Sequence, residues 1–267
     1  LGPARDPNAP LEQHHKDLEA SVQLVTEEII FHILEHLYKR TGLSDLCLAG
    51  GVAQNSVANG KITRNTAFKN VYVPSAGHDA GISMGAAMYV HHQLLNGKRM
   101  SPVYSAYLGP SFTNEAIEQL LSAEGMQWRR LADDELFDVV ASALAAGKVV
   151  GWFSGRAEFG PRALGGRSIL MDPRRADAKN ILNLKIKRRE SFRPFAPSIL
   201  KEEVGSWFEL DEPVPFMEKV YPIREAQRSI IPAVTHVDGS GRLQSVDKIV
   251  SPRYHALITV FFKEINE

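Results

Sequence analysis

Two stretches, LCLAGGVAQNSVANG and VYVPSAGHDAGISMGAA, follow one grammar within fifty residues: a short apolar run, a glycine turn, then a helical pattern. A strand that hands over to a helix at a glycine turn, twice in succession, restricts the fold to the α/β class, with loops gathered at one end of a sheet. LCLAGG reads as a buried strand and Gln54 to Arg64 as the helix after it. VYVPS is the second strand, and Ala80 to Gln93 the second helix. Upstream, Leu18, Val22, Val25, Ile29, Ile33 and Leu37 recur at three- and four-residue spacing. That spacing predicts an amphipathic helix over Leu18–Tyr38, ending at Thr41 and Gly42. Cys47, inside the apolar run, reads as a small buried strand residue. As the sole cysteine of the 267 residues it can make neither an internal disulfide nor a cysteine-based zinc site.

From Gly97 to Gly109 the text turns polar with Pro and Gly, which places a domain boundary there, giving 1–97 and 98–267. Beyond it, FTNEAIEQLL is expected to open a helix capped at Thr113 or Asn114. ELFDVVASALAAG reads as a helix, VVGWF as a buried strand and ADAKNILNLKIKRRE as a basic helix. Short β-like runs follow (MEKVYPI, SIIPAVTHV, RLQSV), then a final helix, PRYHALITVFF. The chain is 44% apolar and 23% charged, with a formal net charge of zero, so any charge-driven function must be local. No apolar run approaches the ~18 residues of a membrane span. With no visible signal peptide, the expected compartment is the cytoplasm. A start at LGPARD without Met, and an end directly after a structured run, read as an internal piece of a longer protein.

The charge is local. Lys148 to Arg193 holds twelve Lys/Arg against four Asp/Glu. Within it, GRAEFGPRALGGRSIL sets three arginines among four glycines. Arg156, Arg162, Arg167, Lys185, Lys187, Arg188, Arg189 and Arg193 can supply guanidinium forks and point charges to carboxylate, carbamoyl or phosphate groups. Glycines let backbone N–H groups approach the same anion. Trp152, Phe159, Phe192 and Phe195 are interleaved, which favours a walled pocket over a solvated charged surface. Arg162 and Arg193, beside prolines and aromatics in GPRALG and FRPF, are the strongest candidates.

Gly50 and Gly51, between a strand and a helix, could present N–H groups to a phosphate or nucleotide, although such a pair is more often a plain turn. Asn55 and Asn59 would share a helical face and could read a ligand's polar edges, or serve as caps. His78 and Asp79 stand at the second strand-to-helix turn, where a carboxylate can bind metal, act as a base or cap the helix. His14 and His15 lack the spacing of a helical metal pair. THVDGSGRLQ gathers His236, Asp238, Arg242 and Gln244 around a turn, making Arg242 a further anion-ligand candidate. No nucleophile elbow, Walker-type loop or H-E-x-x-H motif is present.

Taken together, these residues resemble the carbamoyltransferases of the nodulation and antibiotic-tailoring type. LAGGVAQNSVANGKI and VYVPSAGHDAGISMGAA are similar to the second half of that family's Kae1-like domain, of the actin-like ATPase superfold. GRAEFGPRALGGRSILMDPR, KIKRRESFRPFAPSIL and IPAVTHVDGSGRLQSV are similar to its YrdC-like domain. The resemblance implies that the YrdC-like domain makes a carbamoyl-adenylate from carbamoyl phosphate and ATP. The Kae1-like domain then passes the carbamoyl group to a hydroxyl of a small acceptor. It implies Arg162, Lys187, Arg193 and Arg242 as the catalytic, anion-binding set. It further implies Gly50, Gly51, Asn55, Arg167 and His236 as substrate or nucleotide contacts, and Asp79 as a ligand of a divalent metal, Fe2+ in the Kae1-like site, with Mg2+ accompanying ATP. The family's paired metal-binding histidines, its first nucleotide loops and the closing part of its YrdC-like site have no counterpart in this sequence. Two other classes stay open: a sugar-kinase-type phosphotransferase on the actin-like superfold, and a non-enzymatic YrdC-like RNA-binding module. The neutral net charge weighs against the latter, and against nucleic acid generally.

Overall fold

A computed structural model describes residues 2–6 and 9–265. It divides into two compact units: residues up to Cys47 with Lys61–Val71, and Leu48–Gly60 with Tyr72 onward. Both helices and small sheets are present, a mixed α/β architecture.

In the first unit, the helix expected from apolar spacing forms and runs longer, Gln13–Thr41 (α1). Glu12 and His15 close its start reciprocally, and Gly42 ends it in the left-handed conformation at φ 66°, its N–H donating to the Tyr38 carbonyl. Its orientation differs from expectation. Val22, Val25, Ile29 and Ile33 are 51–59% exposed, while Glu27 and Leu34 are buried. The helix carries a second apolar row through Ile30, Phe31 and Leu34, and that row packs inward. Tyr38 meets Phe68 edge-on at 5.8 Å, and buried Glu27 is paired with Lys61 Nζ at 2.7 Å. β1 (Asp45–Cys47) pairs with β2 (Asn70–Tyr72). Alternation along this short strand buries Leu46 and turns Cys47 outward, so Cys47 is exposed, contrary to its reading as a core residue.

In the second unit the helix expected after LAGG is broken. A 3-10 turn, Val52–Gln54, is followed by a single α turn, Ser56–Asn59. Gly60 then lies so close to the chain at Val220 that a Cβ would stand 2.0 Å from that carbonyl oxygen, and the Val220 N–H donates to the Ser56 carbonyl at 2.9 Å. The next helix is α2 (Gly81–Tyr89), extended by a π-helical turn over Val90–Leu94. α3 (Asn114–Ala123) is capped by Thr113 Oγ1, as expected. α4 (Asp133–Ala145) opens on Asp133, Asp134 and Glu135, which suit the positive end of its dipole.

β3 (Val150–Phe153) and β4 (Arg167–Leu170) pair antiparallel, in register from Val150 opposite Leu170 to Phe153 opposite Arg167. The basic, glycine-rich stretch is therefore the connection between two paired strands. β5 (Ser198–Leu200) runs parallel to β8 (Gln244–Val246), and β6 (Tyr221–Pro222) antiparallel to β7 (Ser240–Gly241). Of the β-like runs, MEKVYPI contributes Tyr221–Pro222 and a single bridge from Ile223 to Phe208, and SIIPAVTHV forms hydrogen-bonded turns such as Thr235 N–H to the Ile231 carbonyl. The basic helix is likewise short, an α turn at Ala178–Asn180 and a π-helical segment over Ile181–Lys187 that ends at Arg188 with φ 48°.

α5 (Pro252–Glu264) packs against α4, enclosing Phe137, Val140, Leu144, Trp152, Val246 and Leu257. A second core gathers Phe208, Val214, Tyr221, Ile223 and Leu243. Each large side chain fully buried there contributes ~2 kcal/mol. These cores back a cavity into which the basic residues project.

Candidate functional site

The cavity has a volume of about 400 Å³. One wall is apolar, with Leu170, Met171 and Phe195 joined by Leu257 and Phe261 of α5. Into it project Arg162 from the β3–β4 connection, Lys187 and Arg189 from the end of the π-helical segment, and Arg242 from between β7 and β8. Among the described residues no carboxylate lines it.

The structure sorts the chain's many basic residues by partner. Arg174 is paired with Asp172 and Arg175 with Asp177, each at 2.7 Å. Arg156 donates to the carbonyls of Leu108 and Gly109. Arg167 donates to those of Ser154, Gly155 and Gly166 and stacks 3.5 Å above the Phe153 ring. Arg193 is held by Glu190 at 2.7 Å, with both side chains more than half exposed, and does not line the cavity. Arg162, Lys187, Arg189 and Arg242 have no ion-pair partner among the described residues. The guanidinium Nε of Arg162 is buried without any hydrogen-bond partner, and its Nη2 makes only a long 3.5 Å contact to the Gln54 carbonyl. Burial lowers Arg162, with Glu218 acting in the opposite sense. Burial, together with Arg162 and Arg189, brings Arg242 down to about 10, still cationic at neutral pH. Unpaired, mutually repelling cations around one cavity are costly unless an anion answers them.

The loop that aims Arg162 is held by an acid. Glu158 Oε1 accepts from the backbone N–H groups of Leu164, Gly166 and Arg167 at 2.6, 2.8 and 3.2 Å. The glycine-rich backbone thus wraps the chain's own carboxylate, where an external anion was expected. The Leu164 carbonyl accepts from Tyr107 Oη at 2.6 Å and Gln244 Nε2 at 2.7 Å. Gly165, at φ 98°, lies against Tyr254, whose ring carbon would stand 2.2 Å from any Cβ there. Tyr254 is a fully buried phenol, pushed by that burial up to about 12.

Arg189, absent from the sequence-based site set, is placed by its neighbours. Its Nε donates to Asn183 Oδ1 at 2.7 Å and its guanidinium stands 4.9 Å from the Phe195 ring centroid. Asn183, wholly buried, donates in turn to the carbonyls of Ser191 and Arg193. Nothing local in KIKRRE distinguishes Arg189 from Arg188; Asn183, six residues upstream, does.

The remaining predicted residues lie elsewhere. Asn55 caps the Ser56–Asn59 turn, accepting from the Ala58 N–H. Gly50 adopts φ 108°, and a Cβ on either Gly50 or Gly51 would meet open space. His236 bonds Ser240 Oγ through Nδ1 at 3.1 Å, while its Nε2 is buried without a partner; burial lowers its basicity, with Asp238 opposing. Asp79 is exposed, and the neighbouring His78 Nδ1 accepts from the Ala80 N–H at 3.1 Å. Among the described residues no three His, Cys, Asp or Glu side chains converge. One exposed carboxylate does not fit a divalent cation by itself, since such ions take about four to eight ligands. Among the described residues, no helix is long and apolar enough to cross a membrane.

Comparison with known proteins decides the affiliation. The carbamoyltransferase N-terminus model matches residues 5–88, and the carbamoyltransferase C-terminus model matches residues 141–266. The chain belongs to the carbamoyltransferase family, a family of enzymes. It is 47% identical to an uncharacterized protein of Synechocystis sp., over 97% of this chain and 46% of that protein. It is 43% identical to nodulation protein NolO of Bradyrhizobium diazoefficiens, over 100% and 50% respectively. It is also 35% identical to the 3'-hydroxymethylcephem-O-carbamoyltransferase of Amycolatopsis lactamdurans, over 82% and 40%. The chain spans about half the length, or less, of these relatives.

Proposed function

We propose that this stretch belongs to an ATP-dependent O-carbamoyltransferase and supplies the site where carbamoyl phosphate and ATP become carbamoyl-adenylate. The observation that carries the reading is the convergence of Arg162, Lys187, Arg189 and Arg242, all without ion-pair partners, on a cavity without carboxylates. Two polyanions must meet for this chemistry, and fixed cations offset their repulsion and stabilise charge as phosphate leaves. Water cleaves carbamoyl phosphate to carbamate and phosphate. A carbamate oxygen then attacks the α-phosphorus of ATP and pyrophosphate departs. The acceptor's hydroxyl oxygen attacks the carbamoyl carbon, AMP leaves, and the hydroxyl proton passes to solvent.

In this reading residues 98–267 form a YrdC-like domain and 1–97 part of a Kae1-like domain, working in the cytoplasm. The apolar wall beside Phe195 suits a nucleotide base. Arg193 reaches the substrate only on leaving Glu190, and Arg167 and His236 act behind the cavity wall. Gly50, Gly51 and Asn55 face the transfer site, where Asp79 supplies one ligand of a divalent metal whose other ligands come from elsewhere. The acceptor is a small hydroxylated molecule.

The test is carbamoyl phosphate-dependent release of pyrophosphate from ATP, with the Arg242→Ala variant as control. Dependence on carbamoyl phosphate, and its loss in the variant, is the expected result. ADP formed without carbamoyl phosphate would make the protein a kinase-type enzyme instead. RNA binding that falls steeply with salt and ignores carbamoyl phosphate would make it a binding module.

A further inference from the structure

Glu218 stands directly after Met217, which lines the cavity, and its stretch of chain is fixed on every side. The Phe216 N–H donates to Glu218 Oε2 at 2.8 Å, and the Glu218 carbonyl accepts from Asn59 Nδ2 at 3.0 Å. Buried Lys219 pairs with Glu212 at 3.1 Å, and the Val220 N–H bonds the Ser56 carbonyl at 2.9 Å. Between these anchors Met217 takes φ 56°, the left-handed region that a side chain of its size occupies only where its surroundings over-determine it. Strain of this kind concentrates where a side chain must be held in one place for function.

What is held is a carboxyl. Phe216 and Met217 pack with Leu164, two residues after Arg162, in one buried cluster, and Met217 and Arg162 line the same cavity. Glu218 faces Arg162 from outside ion-pair distance, and Arg162 keeps a buried Nε unpartnered. The charged groups facing Glu218 are Arg162 and its neighbour Lys219; the Ser56–Asn59 turn packed against it presents only the amide of Asn59. We propose that Glu218 couples anion binding at Arg162 in the cavity to the uptake of a proton. In the empty site its carboxylate offsets part of the Arg162 charge. An arriving anion takes over that role, two negative groups then flank one guanidinium, and Glu218 accepts a proton from solvent.

Burial pushes this carboxyl up to about 7, with the Phe216 N–H, Lys219 and Arg162 opposing, so the proton comes and goes near neutrality. The sign follows. A bound anion raises the value further, so affinity is full below about 7 and falls as pH rises through the interval between the empty and the occupied values.

The inference rests on reading the cavity as an anion site, and the experiment separates the two. Sulfate, which carries no titrating proton in this range, is titrated by calorimetry into the whole chain in buffers of different ionisation enthalpy. The expected result is a roughly tenfold loss of sulfate affinity between about pH 7 and pH 9, with a fractional proton taken up near pH 7.5. In Glu218→Gln the slope and the uptake vanish while sulfate still binds. A flat wild-type profile without proton uptake overturns the coupling even if the variant proves unstable. A slope retained by Glu218→Gln overturns the assignment to Glu218. Sulfate binding that disappears in Arg242→Ala upholds the anion site whichever way the slope falls. A wild type that binds no sulfate at any pH overturns both.

Discussion

The connection Gly155–Leu170, with three cations, and the shorter stretch Lys185–Arg193, with five, meet opposite fates. In the first, one carboxylate gathers the backbone, two arginines are consumed by carbonyls and an aromatic ring, and Arg162 alone is aimed into the cavity. In the second the side chains are largely exposed, Arg193 is answered by Glu190, and only Lys187 and Arg189 reach the cavity wall. Charge density alone therefore does not mark a site. The mark is a cation that the protein has buried or fixed and left without a counter-charge.

That distinction can be broken. Arg162→Ala or Arg242→Ala should cost about 10²–10³ in carbamoyl phosphate-dependent turnover, the scale of a lost oxyanion-type donor. Steady-state pyrophosphate release measures it. Glu158→Ala strands the N–H groups of Leu164, Gly166 and Arg167, and should remove about 3 kcal/mol of stability in urea unfolding. Gly165→Ala forces a side chain into a left-handed backbone against Tyr254, a loss of about 1–3 kcal/mol in the same assay. Glu218 titrates at about 7 when folded, above its ordinary 4.5, so the wild type loses stability as pH rises from ~4.5 through ~7. Glu218→Gln should then melt a few degrees higher at pH 8, with no such gain at pH 4. Arg193→Ala should change turnover less than about threefold, because an exposed ion pair contributes only ~0–1 kcal/mol. If it matched Arg242→Ala, the two stretches would be functionally alike and the sorting by partner would fail.

Much of this was legible in the sequence because it is local. Thr113 as a cap, Gly42 as a stop and VVGWF as a strand depend on a few neighbours. That basic residues of this region line a cavity was legible too, through the excess of Lys and Arg. What was hidden depends on partners far along the chain. The inward row of α1 was chosen by packing between two apolar rows of similar strength. The shortened helix after LAGG reflects the chain at Val220, about 160 residues on. Arg189 is told from Arg188 only by Asn183, and Glu158, a lone acid among arginines, carries no local sign of the backbone it holds. Glu218 carries no signature at all in MEKVYPI; its meaning comes from Arg162 and Asn59.

The carbonyl of Leu164 gathers the hydroxyl of Tyr107 and the amide of Gln244, and the parallel pairing of β5 with β8 joins segments that are also far apart in sequence. Contacts of such span are slow to form, because each closes a long loop before it is rewarded. Arg162 and Arg242 consequently face one another only once the chain has finished assembling. During refolding, protection by sulfate should arrive with the slowest phase, which makes the cavity a timer for completion of the fold.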